Sequence, residues 1–340
     1  MSLLFSPFKI RNMELKNRIM MSPMGTVAAD EEGRLTEWQL LHYGARALGQ
    51  VGLIMLEVTA VEPRGADPGS LGLWNEGQLR RLRDVVKMIH RQNTKVGIQL
   101  GHAGRKKEIG IGVSSSGLPF NGKPTEKLTI EQIHDVVQSF RNAAARALQA
   151  GIDVIELHAA HGYLINDFLS PITNKRDDQY GGSRENRYRF LKEVIDSVKS
   201  VWHGPLFIRV SAEEYAAEGN HIEDYVYFAK LMKKQGIDLI DVSSGGVTEN
   251  KPKVYPGYQV PYARRIRKQT GMLTAAVGII NDGCQAEEIL QNGNADIVAI
   301  GRGLLKDPFW PRMAAEQLGV TIEEPKPYRN YWFSKEYTEG

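Results

Sequence analysis

The chain has 340 residues, 42% of them hydrophobic and 24% charged, with a formal net charge of +3. This is ordinary globular composition, which excludes a disordered, collagenous or coiled-coil chain, and its interspersed lysines and arginines offer no basic tract for nucleic acid. A lone cysteine, Cys284, excludes an intrachain disulfide, and no apolar stretch reads as a signal peptide or membrane span, so the expectation is a soluble cytoplasmic protein without membrane or nucleic-acid partners.

In chain order, residues 5–15 read as a small hairpin. Eight short β-rich apolar runs then follow, at 18–22, 53–58, 95–100, 154–157, 206–210, 239–242, 273–277 and 297–300. They lack strict polar alternation, as expected of parallel strands buried on both faces. Residues 76–92 and 184–201 are amphipathic and rich in helix formers. Thr129 and Gln132 form a capping box that opens a helix running through Gln149, with Gly151 beyond its end. Pro308 is expected at the start of the final helix, where a missing N–H does little harm.

This alternation predicts an α/β chain: a single (β/α)8 TIM barrel over residues 1–340, with the N-terminal hairpin closing the barrel floor. Residues 101–128 form the longest connection and a candidate lid. The tail from 319 to 340 carries Tyr328, Tyr331, Trp332 and Phe333 and is a candidate subunit interface.

Chemistry in such barrels belongs at the C-terminal strand ends. There the sequence places Ser22-Pro23-Met24-Gly25, Gln99 with His102, the run His158-Ala-Ala-His161-Gly-Tyr163, Arg209, Ser243-Ser-Gly-Gly246, Gly278 and Gly301-Arg302. Glycines after the last two strands let backbone N–H groups approach a phosphate, and an arginine adds charged donors; the plainer alternative is that these glycines only turn the chain. Two imidazoles beside a phenol can polarise a carbonyl and deliver a proton. The same histidines with Glu156 or His102 could instead hold a metal. No strand ends in a lysine suited to a Schiff base, and no nucleophile elbow, P-loop or complete dinucleotide fingerprint is present.

Taken together, Leu15-Lys-Asn-Arg-Ile19, Met21-Ser-Pro-Met24, Gly97-Ile-Gln-Leu100, His102-Ala-Gly-Arg105, Ile155-Glu-Leu-His-Ala-Ala-His-Gly-Tyr-Leu164, Phe168-Leu-Ser-Pro171 and Arg176-Asp-Asp-Gln-Tyr-Gly-Gly-Ser183 resemble the old yellow enzyme family of FMN-dependent ene-reductases. The likeness covers nearly the whole chain and is nearest to the bacterial thermophilic-like subclass. It implies FMN across the barrel mouth, its phosphate at Gly278 and Gly301-Arg302, its ring along Ser22, Pro23, Met24 and the Val58 backbone, with Gln99 at the pyrimidine edge. Arg209 would face the N1/O2 side; the alternative is a structural ion-pair partner, but its place at the strand end favours the flavin role.

The resemblance implies ping-pong turnover in a detoxifying reductase. NADPH reduces the flavin and leaves; an α,β-unsaturated aldehyde or ketone then binds in its place. His158 and His161 would polarise the carbonyl, and Tyr163 would protonate the α-carbon. Lys106 or Arg105 would assist binding of the nicotinamide phosphate or the substrate.

Two departures from the subclass stand out. Gly25 replaces a cysteine that touches the flavin, and Val27 replaces a substrate-contacting tyrosine. The subclass also sends a tail arginine into a neighbour's site; Arg329 is the candidate here, although counting places Asn330 at that position, and the expected assembly is a homo-oligomer, dimer or tetramer. Two other readings remain open: a non-flavin phosphate-binding isomerase or metal-assisted hydrolase, and a flavoprotein acting on quinones, nitro compounds or another acceptor.

Overall fold

The computed structural model describes residues 2–329 and 331–333. Eight parallel strands, β1 (Ile19–Met21), β2 (Leu53–Ala60), β3 (Lys95–Gly101), β4 (Val154–Ala159), β5 (Leu206–Ser211), β6 (Leu239–Ser243), β7 (Leu273–Ala276) and β8 (Ile297–Ile300), follow the eight expected runs. Each pairs with its sequence neighbours, and β8 pairs back onto β1, closing the barrel. The outer helices are α1 (Glu37–Leu48), α2 (Glu76–His90), α3 (Ile130–Ala150), α4 (Arg184–Lys199), α5 (Ile222–Lys234), α6 (Val260–Thr270), α7 (Gly283–Gln291) and α8 (Trp310–Gln317).

Strand parity divides the core. Along β2, Ile54 and Leu56 join the layer between strands and helices, whereas Leu53 and Met55 join a second cluster. That second cluster also holds Met20, Val154, Phe207 and Leu239, and successive side chains on a strand point to opposite faces, so it fills the barrel interior. The hairpin Phe8–Ile10 and Met13–Leu15 contributes Ile10, Met13 and Leu15 to it, closing the floor.

Two residues further along the same strands, on the same inward face, the sequence changes from apolar to polar: Gln99, Glu156, Arg209 and Asp241, all buried. The barrel therefore has an apolar floor beneath a charged middle layer.

Local signals behave as their chemistry requires. The Thr129 side chain accepts from Gln132 N at 3.1 Å, while Thr129 N donates to Gln132 Oε1 at 2.9 Å. Gly151 caps the helix in the left-handed region at φ 85°. One expectation is corrected: the final helix begins at Trp310, with Pro311 in its first turn, and Pro308 lies in the preceding turn. Pro311 tolerates this place because first-turn N–H groups have no intrahelical partner.

The long connection is also more ordered than a bare loop. It contains the short helix Gly104–Lys106 and a two-stranded parallel ribbon, Gly112–Ser114 with Thr125–Lys127.

Candidate active site

The C-terminal rim begins where β1 runs into Ser22. Ser22 N donates to Ile300 O at 3.0 Å, which holds the segment beside β8, and Pro23 O accepts from Arg209 Nη1 at 3.4 Å. Beyond Gly25, the Thr26 backbone N and hydroxyl both donate to the Glu57 carboxylate, at 2.8 and 2.7 Å. Glu57 sits where the β2–β3 register slips between Leu56 and Val58. A bulge re-aims the side chain it carries, here toward the β1 loop and the Tyr43 hydroxyl, 3.2 Å away. Burial pushes the Glu57 carboxyl up, and its bonds to Thr26 and Tyr43 pull it back.

The charged middle layer joins four strands. Gln99 Nε2 donates to Glu156 Oε1 at 2.8 Å, and Arg209 Nε lies 3.2 Å from Asp241 Oδ2. Burial pushes both carboxyls above their ordinary range; for Glu156 the charge of Asp241 adds to this, and Arg209 opposes it for both. Arg209 is thus both a structural ion-pair partner and a rim residue bonded to Pro23.

Above this layer, β4 delivers His158, His161 and Tyr163. The His158 ring centroid lies 5.2 Å from that of His161 and 4.9 Å from that of Tyr163. The turn that gathers them needs left-handed backbone at His161 (φ 60°) and Gly162 (φ 74°). A Cβ at Gly162 would stand 2.4 Å from Gly246 O, so only glycine fits. Gly162 N donates to Asn166 Oδ1 at 2.8 Å, and Ser211 Oγ accepts from His161 N at 2.9 Å.

Burial, with the charges of Arg209 and Lys106 and, for His158, the neighbouring His161, drives both imidazoles well below their usual range. Both are therefore neutral near pH 7. Burial, with Glu108 and Asp67, raises the Tyr163 phenol, which keeps its proton. Neutral imidazoles and a protonated phenol are suited to hydrogen-bonding a carbonyl oxygen and releasing one proton.

Lys106 stands beside this group, its Nζ 5.5 Å from the ring centroids of both Tyr163 and Phe120. Burial, with nearby Arg105, pulls its ammonium down to about 8. Arg105 turns the other way, donating to Val247 O and lying 3.5 Å from Asp167. His102, fully buried, accepts from Gly104 N at 2.9 Å through Nδ1 and faces Glu62 at 3.2 Å through Nε2. Its place is to anchor the Gly104–Lys106 turn.

These commitments concern the two residues offered as a third metal ligand. Glu156 is engaged by Gln99 and His102 by Glu62, and no group of three histidine, cysteine or carboxylate side chains suited to a metal occurs among the described residues.

Gly278 (φ 124°) and Gly301 follow β7 and β8, with Arg302 exposed beside them. A Cβ at Gly278 would come within 3.2 Å of the Tyr258 ring, whereas one at Gly301 would meet nothing nearer than Met24 Sδ at 3.5 Å. Val58 is half-buried at the end of β2, and Val27 is 75% exposed. Arg329 is exposed on the tail, and no hydrogen bond or ion pair joins its side chain to the rim among the described residues. Asn330 and residues 334–340 lie outside the described residues.

The rim fits a flat polar group such as FMN. Ser22 Oγ and His158 Nδ1 are buried there without a hydrogen-bond partner, and nothing lies within 4 Å of a Cβ placed on Gly25. Buried polar atoms are normally satisfied, so a cluster of unsatisfied ones marks a place for a ligand. Sequence reading misses Glu57, Asp241 and Gln259. Asp241 is recoverable from parity, lying two residues beyond inward-facing Leu239.

Comparison with known proteins points in the same direction. Residues 3–320 match the model of the NADH:flavin oxidoreductase / NADH oxidase family. The chain is 51% identical over 336 residues to an NADPH dehydrogenase of Geobacillus sp. (strain WCH70), covering 97% of this chain and 99% of that protein. It is 52% identical to an NADPH dehydrogenase of Geobacillus thermodenitrificans, with the same coverage. Among solved structures it is similar to morphinone reductase, at 28% identity and TM-score 0.81, covering 96% of this chain and 92% of the other. It is also similar to 2-naphthoyl-CoA reductase, at 26% identity and TM-score 0.88 over 94% of this chain, but spans only 52% of that longer protein. The chain therefore belongs to the NADH:flavin oxidoreductase / NADH oxidase family, that of the FMN-dependent old yellow enzymes, and is a flavin-dependent oxidoreductase.

Proposed function

We propose that this enzyme uses NADPH to reduce the carbon–carbon double bond of α,β-unsaturated aldehydes and ketones. The observation that carries this reading is the cluster of neutral His158, neutral His161 and protonated Tyr163 at the end of β4, beside the buried Arg209. Bound FMN would supply the hydride chemistry. Ser22, Pro23, Met24 and Val58 would flank its ring, Gln99 and Arg209 would hold its pyrimidine edge, and Gly278, Gly301 and Arg302 its phosphate. His158 and His161 hydrogen-bond the acceptor's carbonyl, and Tyr163 gives its proton to the α-carbon.

One site serving both reactants in turn requires ping-pong kinetics. Double-reciprocal plots of NADPH against 2-cyclohexenone should be parallel; lines converging on one point would refute the shared site. The tail, with Arg329, would contact a second copy of this cytoplasmic enzyme.

A second reading, a different acceptor, is favoured by Gly25 and Val27, which leave these two rim positions without a thiol and a phenol. Thr26 does not compensate, because its hydroxyl and N–H are both held by Glu57. A hydrogen bond to the reduced flavin is worth about 1.5–3 kcal/mol, or about 30–60 mV for two electrons. Gly25→Cys has room for its side chain and should raise the flavin potential by about that amount. An unchanged potential in a redox titration would show that position 25 does not reach the flavin.

Lys106 gives the reaction a pH dependence. Its positive charge attracts the phosphates of NADPH and is lost as pH rises through about 8. KM for NADPH should rise across that interval in the wild type, while Lys106→Met should start high and stay flat. A parallel rise in both proteins would remove Lys106 from cosubstrate binding.

A further inference from the structure

His102 follows β3 directly, and both its backbone and its side chain are committed. Its carbonyl oxygen accepts from Leu164 N at 3.2 Å, immediately after Tyr163. Its Nδ1 lies 2.9 Å from Gly104 N, and its Nε2 lies 3.2 Å from Glu62 Oε1. Packing holds the ring in this orientation, because the Gly65 backbone presses on its edge: a Cβ there would stand 2.6 Å from His102 Cδ2. Ala103 N, next in the chain, donates to Gly65 O at 2.9 Å.

These partners leave one place for the ring proton. A backbone N–H can only donate, so Nδ1 is the acceptor in its bond with Gly104. The ring's proton is then on Nε2, facing Glu62. Burial would raise that carboxyl, but its contacts with His102, Arg64 and Ser139 bring it down to about 2, so it is ionised and can only accept. Ser139 Oγ, on α3, donates to its other oxygen, Oε2, at 3.0 Å, and Arg64 Nε lies 3.1 Å from Oε1. A carboxylate that engages one ring nitrogen sets the task of the other.

We propose that His102, oriented by Glu62, is a positioning residue that holds Lys106 over Tyr163, where its ammonium meets the phosphates of NADPH. Gly104 opens the Gly104–Lys106 turn, so the nitrogen that captures Gly104 fixes how the turn leaves β3. The turn ends with the Lys106 ammonium over the Tyr163 ring, and the backbone after Tyr163 is itself tied to His102 through Leu164. One residue therefore holds the lysine through its ring and the turn of the phenol through its carbonyl. This keeps the ammonium among Arg105, His158, His161 and Tyr163, with Glu108 and Asp67 facing the phenol. Without the Gly104 bond, the turn is free to relax toward water, where an ammonium is better solvated. The service to NADPH rests on the cosubstrate role proposed for Lys106; the positioning does not.

The test uses FMN-loaded enzyme labelled with 15N-histidine and 13C-lysine, the His102 and Lys106 signals being assigned by their loss in His102→Asn and Lys106→Met. Long-range 15N–1H spectra should show wild-type His102 with its proton on Nε2. His102→Leu, which leaves Gly104 N without its acceptor, should move the Lys106 titration up from about 8 toward the ordinary lysine range. It should also raise KM for NADPH at pH 7 about tenfold while kcat stays near wild type, because the backbone oxygen that holds Leu164 is retained. His102→Asn, whose amide oxygen can take the place of Nδ1, should restore both. A wild-type proton on Nδ1, or a His102→Leu enzyme whose Lys106 titrates as in wild type, would overturn the proposal; the first of these stands as a test even if His102→Leu does not fold. A moved Lys106 titration with an unchanged KM would uphold the positioning and overturn the cosubstrate role.

Discussion

Tyr163→Phe is expected to lower turnover of 2-cyclohexenone by about 10²–10⁴-fold, the usual worth of a positioned acid. The phenol is held protonated by burial, Glu108 and Asp67, and it lies at the turn that also places His158 and His161. Removing one oxygen changes little else: Tyr163 caps the short helix Leu164–Leu169 through its backbone, and the backbone bonds of the turn do not use the hydroxyl. Reduction of the enzyme by NADPH needs no proton from Tyr163, so its rate should stay near wild type. Stopped-flow measurement of the two half-reactions separates these effects. Equal losses in both would mean that Tyr163 shapes the site rather than supplying the proton.

Arg209→Met should have the largest effect on the fold. Among the described residues it removes the only cation in contact with Asp241, and it leaves two buried carboxyls, Asp241 and Glu156, without a counter-charge. Breaking a buried pair by removing one partner costs about 3–5 kcal/mol. The sign with pH follows from the direction of the carboxyl shifts. Groups raised in the folded state favour their protonated form there, so they weaken the fold as pH rises above their unfolded values.

The deficit of Arg209→Met should therefore be largest at neutral and alkaline pH and shrink toward the acid range where both carboxyls are protonated. Denaturant unfolding at several pH values measures it. Adding Asp241→Asn should recover part of the stability but, under the proposed contact of Arg209 with the flavin, not the affinity for FMN. A single variant as stable as wild type, binding FMN equally well, would contradict both roles of this arginine.

The barrel was legible because each strand is a run of branched and aliphatic residues, and the helices between them carry their own caps, as at Thr129. Much of the rim was legible for a related reason: residues such as His158 and Arg209 lie at strand ends, where a barrel concentrates its polar groups. What was not legible depends on closure. Glu57 looks like an ordinary strand residue until the bulge turns it toward Thr26.

Gln259 lies just before α6, and only the folded path of the connection after β6 brings its amide back to Ser243 at the end of that strand. His102 reads as a possible ligand because its type suggests chemistry, but its neighbours Glu62 and Gly104 make it an anchor for the Lys106 turn. Pro308 misleads because two prolines lie close together, and only Pro311 falls in the helical first turn.

The most direct test of the central claim is an anaerobic titration of the purified protein, followed by its visible spectrum. The expected result is a flavin absorbance that bleaches on adding NADPH and returns on adding 2-cyclohexenone. A flavin that bleaches and stays bleached would contradict the assigned acceptor, and a protein that takes up no FMN would contradict the reading of the rim itself.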